Sequence, residues 1–218
     1  MSNVSLKMPT PLPKGAIQLL LTAERLFGEQ GLDGVSLRQI VTASGQANSS
    51  AVQHHFGSKE GLIQAVYDMR LPELDQRRMQ LLLQFKDTNG DIPLAQLLRA
   101  MFWPVVNDMD EAAQKSFALF NAQLMLMDID RHPYSHTKVP QPAYLEIDKR
   151  FKQILNYLPV GVLQLRLRLA TDMFFGALNE RGRLNSTEPN LYPSQVPYWN
   201  EVFLAIEALL RLPYTDNI

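Results

Sequence analysis

SLRQIVTASGQANSSAVQHHFGSKEGL, residues 36–62, decides the fold. Ser36 with Gln39 three residues on is a capping box, which satisfies amides otherwise left unpaired at a helix start. Leu37, Ile40 and Val41 then share one face at i, i+3 and i+4 spacing. Gly45 stands where the chain turns sharply, and glycine adopts the positive φ such a turn needs. Asn48 suits the N-cap of a second helix, in which only Val52 and Phe56 are large and apolar. Ser58 caps a third helix, with Lys59 in its first turn. A cation there opposes the helix dipole and makes better sense beside a phosphate. The pattern is a helix-turn-helix: a short polar helix presented to solvent and backed by two apolar ones, a shape that fits the DNA major groove.

Working outward, AIQLLLTAERLFGEQGLDGVS (16–36) predicts an amphipathic helix with Ala16, Leu20, Ala23 and Phe27 on one face and Gly31 near its end. That helix, the turn glycine and HHFGSKEGL together resemble the DNA-binding domain of the TetR family of bacterial regulators. The resemblance covers residues 14–70. It departs at Gln53, where the family usually has an aromatic before its HHF-like triplet, and in the turn GQANSS, which is one residue longer than usual.

Composition bounds the alternatives. The chain has 218 residues, 46% of them hydrophobic, so a sizeable core is available. It has no cysteine, which excludes disulfides, thiol catalysis and cysteine-based zinc sites. No signal-like leader and no apolar run of membrane-spanning length is present, so a soluble, cytoplasmic protein without membrane contact is expected. The net charge of −1 is no nucleic-acid signature, although residues 1–60 alone carry a surplus of one positive charge. The DNA reading therefore rests on the motif.

Residues 1–13, with three prolines, read as a flexible arm, either plainly disordered or reaching a minor groove with Lys7 or Lys14. Residues 71–218 read as helices throughout, giving an all-α chain: a three-helix DNA-binding domain (14–70) followed by a helical ligand-binding and dimerisation domain. The run from Ser58 keeps helical spacing through Leu62, Ile63, Val66, Leu71, Leu74, Met79 and Leu82, and Pro72 is expected to break or kink it. Further helices are expected from Asp91 and Pro93 with an interruption at Pro104, over 110–128, from Pro142 to about Tyr157, over 159–184, and over 197–212.

Met101, Phe102, Trp103, Phe117, Phe120, Met125, Met127, Phe174 and Phe175, with Asn179 as a polar contact, are candidates to line a ligand pocket. Ordinary core packing explains each of them singly. His132 and His136, with Asp128 and Asp130, have a ligand-like spacing, but Pro133 between them favours a solvated loop over a metal site. Arg166 and Arg168 read as a solvated or intersubunit salt-bridge face. No metal site, cofactor or catalytic constellation is apparent.

A recognition helix of seven or eight residues reads only a few base pairs, so a homodimer on an inverted repeat of double-stranded DNA is expected. The resemblance implies dimerisation through the last two long helices, where Leu163, Leu167, Ala170, Phe174, Val202, Ile206 and Leu209 offer an apolar stripe. The same stripe would arise if those residues packed on their own chain. Expected groove contacts are Ser49, Ser50, Gln53 and His54, with His55 beside them and Arg38, Asn48 and Lys59 on phosphates. A small hydrophobic or aromatic effector in the C-terminal half is expected to release the DNA by changing the separation of the two recognition helices, with Pro72 near the junction. Family habit favours repression over activation. The competing readings are an all-α carrier of hydrophobic ligands that does not use DNA, and a small helical enzyme, for which no residue set argues.

Overall fold

The structure, a computed structural model, describes residues 14–45, 56–188, 190–191 and 194–214. Among them all regular structure is helical. The helices are α1 (Lys14–Gln30), α2 (Leu37–Ala43), α3 (Lys59–Phe85), α4 (Leu94–Asp108), α5 (Glu111–Leu124), α6 (Pro142–Ile154), α7 (Val160–Thr187) and α8 (Gln195–Arg211), with a single 3-10 turn at Pro133–Ser135.

Their starts follow side-chain chemistry. The Ser36 hydroxyl accepts from the Gln39 amide at 3.3 Å, and the Gln39 side chain accepts from the Ser36 amide at 2.8 Å, closing the capping box of α2. Ser58 caps α3 through the Gly61 amide, and Asp110 caps α5 through the Ala113 amide. The first turn of α6 is held from another helix: Asp75 of α3, only 5% exposed, accepts from the amides of Ala143 and Tyr144.

Two expectations about helix limits are corrected. Pro72 and Pro104 lie inside continuous helices and end neither. A mid-helix proline costs about 3 kcal/mol. Burying one leucine returns about 1.5–3 kcal/mol, and α3 buries Leu62, Ile63 and Val66 before Pro72 and Leu71, Leu74 and Leu82 around and after it. The helix expected over 110–128 stops at Leu124, where the Met125 amide donates to the Asn121 carbonyl and the Leu126 amide to the Gln123 carbonyl.

Two apolar clusters result. One joins Leu20, Ala23 and Phe27 of α1, Ile40 of α2 and Leu62 and Val66 of α3 to Phe120 and Leu124 of α5. The other is built mainly from α4, α6, α7 and α8, with Ala118 of α5. The fit between α1 and α5 depends on a glycine: a Cβ on Gly28 would lie 2.7 Å from Leu119 Cβ and 2.9 Å from the Phe120 amide nitrogen. Phe27 and Phe120 meet beside it, ring centroids 6.3 Å apart.

The α5–α6 connection, expected as a solvated loop, is fastened to α3. Gln64 donates to the Pro133 carbonyl, Thr137 donates to Asp68, and the His132 ring meets the Tyr67 ring edge-on. His132 Nδ1 caps the 3-10 turn by accepting from the Tyr134 amide. His136 Nε2 lies 2.7 Å from the Asp130 carbonyl oxygen. Among the described residues no group of His, Asp or Glu is arranged to hold a metal, and no helix is long and apolar enough to cross a membrane.

Candidate nucleic-acid interface and the half behind it

The described edges of the candidate interface are α2 and the first turn of α3. Ile40 and Val41 anchor α2 in the core, which leaves Arg38 exposed on its outer side without a hydrogen bond or ion pair among the described residues. Gly45, at φ +72°, turns the chain out of α2. Asn48, Ser49, Ser50, Gln53, His54 and His55 lie outside the described residues, as does the arm 1–13.

The chain returns at Phe56, which packs against the N-terminal cluster, and passes through Gly57 at φ +70° into the Ser58 cap. Lys59 reaches back to donate to the Asp33 carbonyl at 3.3 Å, tying α3 to the turn between α1 and α2. Backbone amide hydrogen bonding, then the Ser58 hydroxyl, hold the Glu60 carboxyl below its ordinary range, as expected for an acid at a helix N-terminus.

A family model described as "Bacterial regulatory proteins, tetR family" matches residues 19–66, the stretch that contains all of these features. Residues 19–66 thus match the N-terminal DNA-binding domain of the TetR family. That domain is the DNA-binding part of transcriptional regulators. Among solved structures the chain is similar to a tetR family transcription regulator from Shewanella sp. PV-4, with 20% identity over 89% of this chain and 96% of that one and a TM-score of 0.53. It is also similar to the TetR family regulator PfmR from Thermus thermophilus, with 20% identity, 88% and 97% of the two chains covered, and a TM-score of 0.50. These likenesses speak for the fold. No curated protein matches.

Behind the TetR domain, the rings expected to line a pocket pack on one another. Phe102 stacks on Phe174 at 4.4 Å, Phe175 meets Phe117 at 5.8 Å, Phe174 meets Trp199 at 5.7 Å and Trp103 meets Phe203 at 6.1 Å. Phe120 and Met127 belong to the other cluster, with α1. Met101 packs on the C-terminal cluster, and Asn179 is half-buried on α7. Met125 closes α5, and its carbonyl accepts from Arg168.

The expected dimer stripe faces the chain's own interior. Leu163, Ala170, Phe174 and Ile206 are buried, and Leu167, Val202 and Leu209 pack half-buried against the same core. The exposed apolar positions of these helices are instead Val160, Leu165, Leu169 and Met173 on α7 and Val196 and Leu204 on α8. Arg166, expected on a solvated face, is buried and donates to the carbonyls of Leu210, Leu212 and Pro213, capping the end of α8. Arg168 donates to its carbonyl partner from an exposed position.

Two features have no signature in local sequence. Arg70 of α3 forks onto Glu24 of α1 with contacts of 2.7 and 3.1 Å. Beside it, a cleft of about 430 Å³ opens between α3 and the turn joining α4 to α5. Only tertiary packing brings these residues together.

Proposed function

We propose that the chain is a TetR-family regulator that acts as a homodimer on an inverted-repeat operator, as a repressor released by a small, mainly apolar ligand. The observation that carries the reading is the pair of described edges, exposed Arg38 on α2 and the capped first turn of α3, flanking residues 46–55 within the family-matched segment. In this reading Ser49, Ser50, Gln53 and His54 face base edges, His55 lies beside them, and Arg38, Asn48 and Lys59 contact phosphates.

One recognition element reads too few base pairs for a specific site, which argues for two copies. Leu165, Leu169 and Met173 of α7 follow one another at i, i+4 and i+8, an exposed apolar row suited to a second copy, with Leu204 on α8. For control, α3 runs without interruption from the DNA-binding end to the C-terminal core, so a ligand that moves α3 moves its capped first turn as well.

Selection of random duplex DNA by the purified protein, at a stated moderate salt concentration, tests the reading. An enriched inverted repeat is expected. Enrichment of a single unrepeated half-site would overturn the dimeric operator. If folded protein enriched nothing, with and without a hydrophobic ligand library, the operator reading would fall with it.

A further inference from the structure

We propose that the cleft between α3 and the α4–α5 turn is a binding site for small organic cations that carry an apolar body. If the ligand response proposed above holds, this names the chemical class of the effector, and the inference rests on that response only for its regulatory part.

The cleft encloses about 430 Å³, room for a small organic molecule. Its apolar lining, Leu74, Pro104, Met109 and Ala113, comes from three helices and the turn between two of them. Charge decides what enters. Two arginines line the cleft, and both are already engaged. Arg70 donates through Nε and NH2 to Glu24, and Arg77 donates through Nε to Asp108 at 2.8 Å and through NH1 to Gln80.

The carboxylates are less fully used. Asp108 accepts from Arg77 on one oxygen and from Asn107 on the other. Asp110 gives Oδ1 to the Ala113 amide, with no further bond on Oδ2 among the described residues. Glu73 is exposed and has neither a hydrogen bond nor an ion pair among the described residues. The lining thus carries one negative charge more than positive, and the groups with capacity to spare are the carboxylates of Glu73 on α3 and Asp110 at the start of α5.

An ammonium group in the cleft meets carboxylates with acceptor capacity to spare, while its apolar body covers Leu74, Pro104, Met109 and Ala113. An anion of the same shape meets unpaired carboxylates and arginines with partners of their own. Position makes such a ligand consequential. Arg70 joins the cleft to α1, and α5, whose first turn borders the cleft, packs on α1 through Leu119 and Phe120.

The test uses three molecules with one body: 3-phenylpropan-1-amine, 3-phenylpropan-1-ol and 3-phenylpropanoate, titrated calorimetrically into the full chain. The amine is expected to bind about tenfold more tightly than the carboxylate, with the alcohol between them. Glu73→Gln and Asp110→Asn should each remove roughly threefold of the amine's advantage and leave alcohol binding and the melting temperature in place. Asn still caps a helix, so Asp110→Asn keeps α5 intact.

Carboxylate binding as tight as the amine's would overturn the proposal. So would an amine preference that survives the double variant, or the failure of all three probes to bind at millimolar concentration. DNA release is a separate reading. An amine that binds the cleft and leaves the DNA complex unchanged would leave the site standing and remove its role as an effector site.

Discussion

Glu24 and Arg70 form an ion pair between α1 and α3, with the Glu24 side chain 1% exposed and the Arg70 side chain 15% exposed. Removing one partner of such a pair strands the other charge, at about 3–5 kcal/mol. Arg70→Met is therefore expected to lower unfolding stability by about that much, and Glu24→Met/Arg70→Met to recover most of it. Chemical denaturation of the two single variants and the double variant checks this. Additive single losses in the double variant would show that the pair is not coupled.

Gly28 sits where α1 and α5 touch at backbone distance. On an open helix, Gly→Ala stabilises by roughly 1 kcal/mol. Here the added methyl overlaps Leu119, so Gly28→Ala is expected to destabilise by about 1–3 kcal/mol. A raised melting temperature would mean that the helices do not approach so closely.

His132 is held below its ordinary value of 6.5 first by burial and then by the charge of Arg168. The folded state therefore prefers the neutral ring, whose Nδ1 accepts the Tyr134 amide at 3.0 Å. The stability this contributes is complete above the unfolded value of 6.5 and is lost as pH falls through the lower folded value. Hydrogen exchange at the Tyr134 amide, corrected for its intrinsic rate, should be faster at about pH 5 than at about pH 8. In His132→Ala it should be fast at both, and a variant that keeps the native pH dependence would remove the histidine from this role.

Lys59 spends its ammonium on an exposed carbonyl contact at 3.3 Å, which water replaces at little cost. Lys59→Ala is expected to leave folding stability within about 0.5 kcal/mol and to weaken every DNA site alike. The slope of log affinity against log salt should become shallower by about 0.9 for each phosphate no longer neutralised. Gln53→Ala should instead change which sequences are preferred. An unchanged salt slope in Lys59→Ala would exclude its role at a phosphate.

The helix-turn-helix was legible because its signals are local. The Ser36–Gln39 box, the Ser58 cap and Gly45 act across three residues or within one, and each appears in the structure. Arg166 was misplaced for the opposite reason. Its carbonyl partners are 44 to 47 residues away, and nothing in the pattern of α7 announces them. Glu24 and Arg70, 46 residues apart, are hidden in the same way. Pro72 and Pro104 misled because the local cost of a proline is visible in sequence, whereas the burial that offsets it is not. The stripe from Leu163 to Leu209 shows a related ambiguity: helical spacing marks an apolar face but not what covers it.

α5 lends Ala118 to one core and Phe120 with Leu124 to the other, so it is a shared wall. A builder of chimeric regulators who joins the first 70 residues to a foreign sensor would leave behind the surface that Phe27 rests on. The portable unit is α1 to α3 together with the face of α5 presented to them, which the chain supplies only some fifty residues after the family-matched segment ends. Compatibility between sensor and reader in such exchanges is set by Gly28, Leu119 and Phe120, a fit that cutting by sequence homology alone would miss.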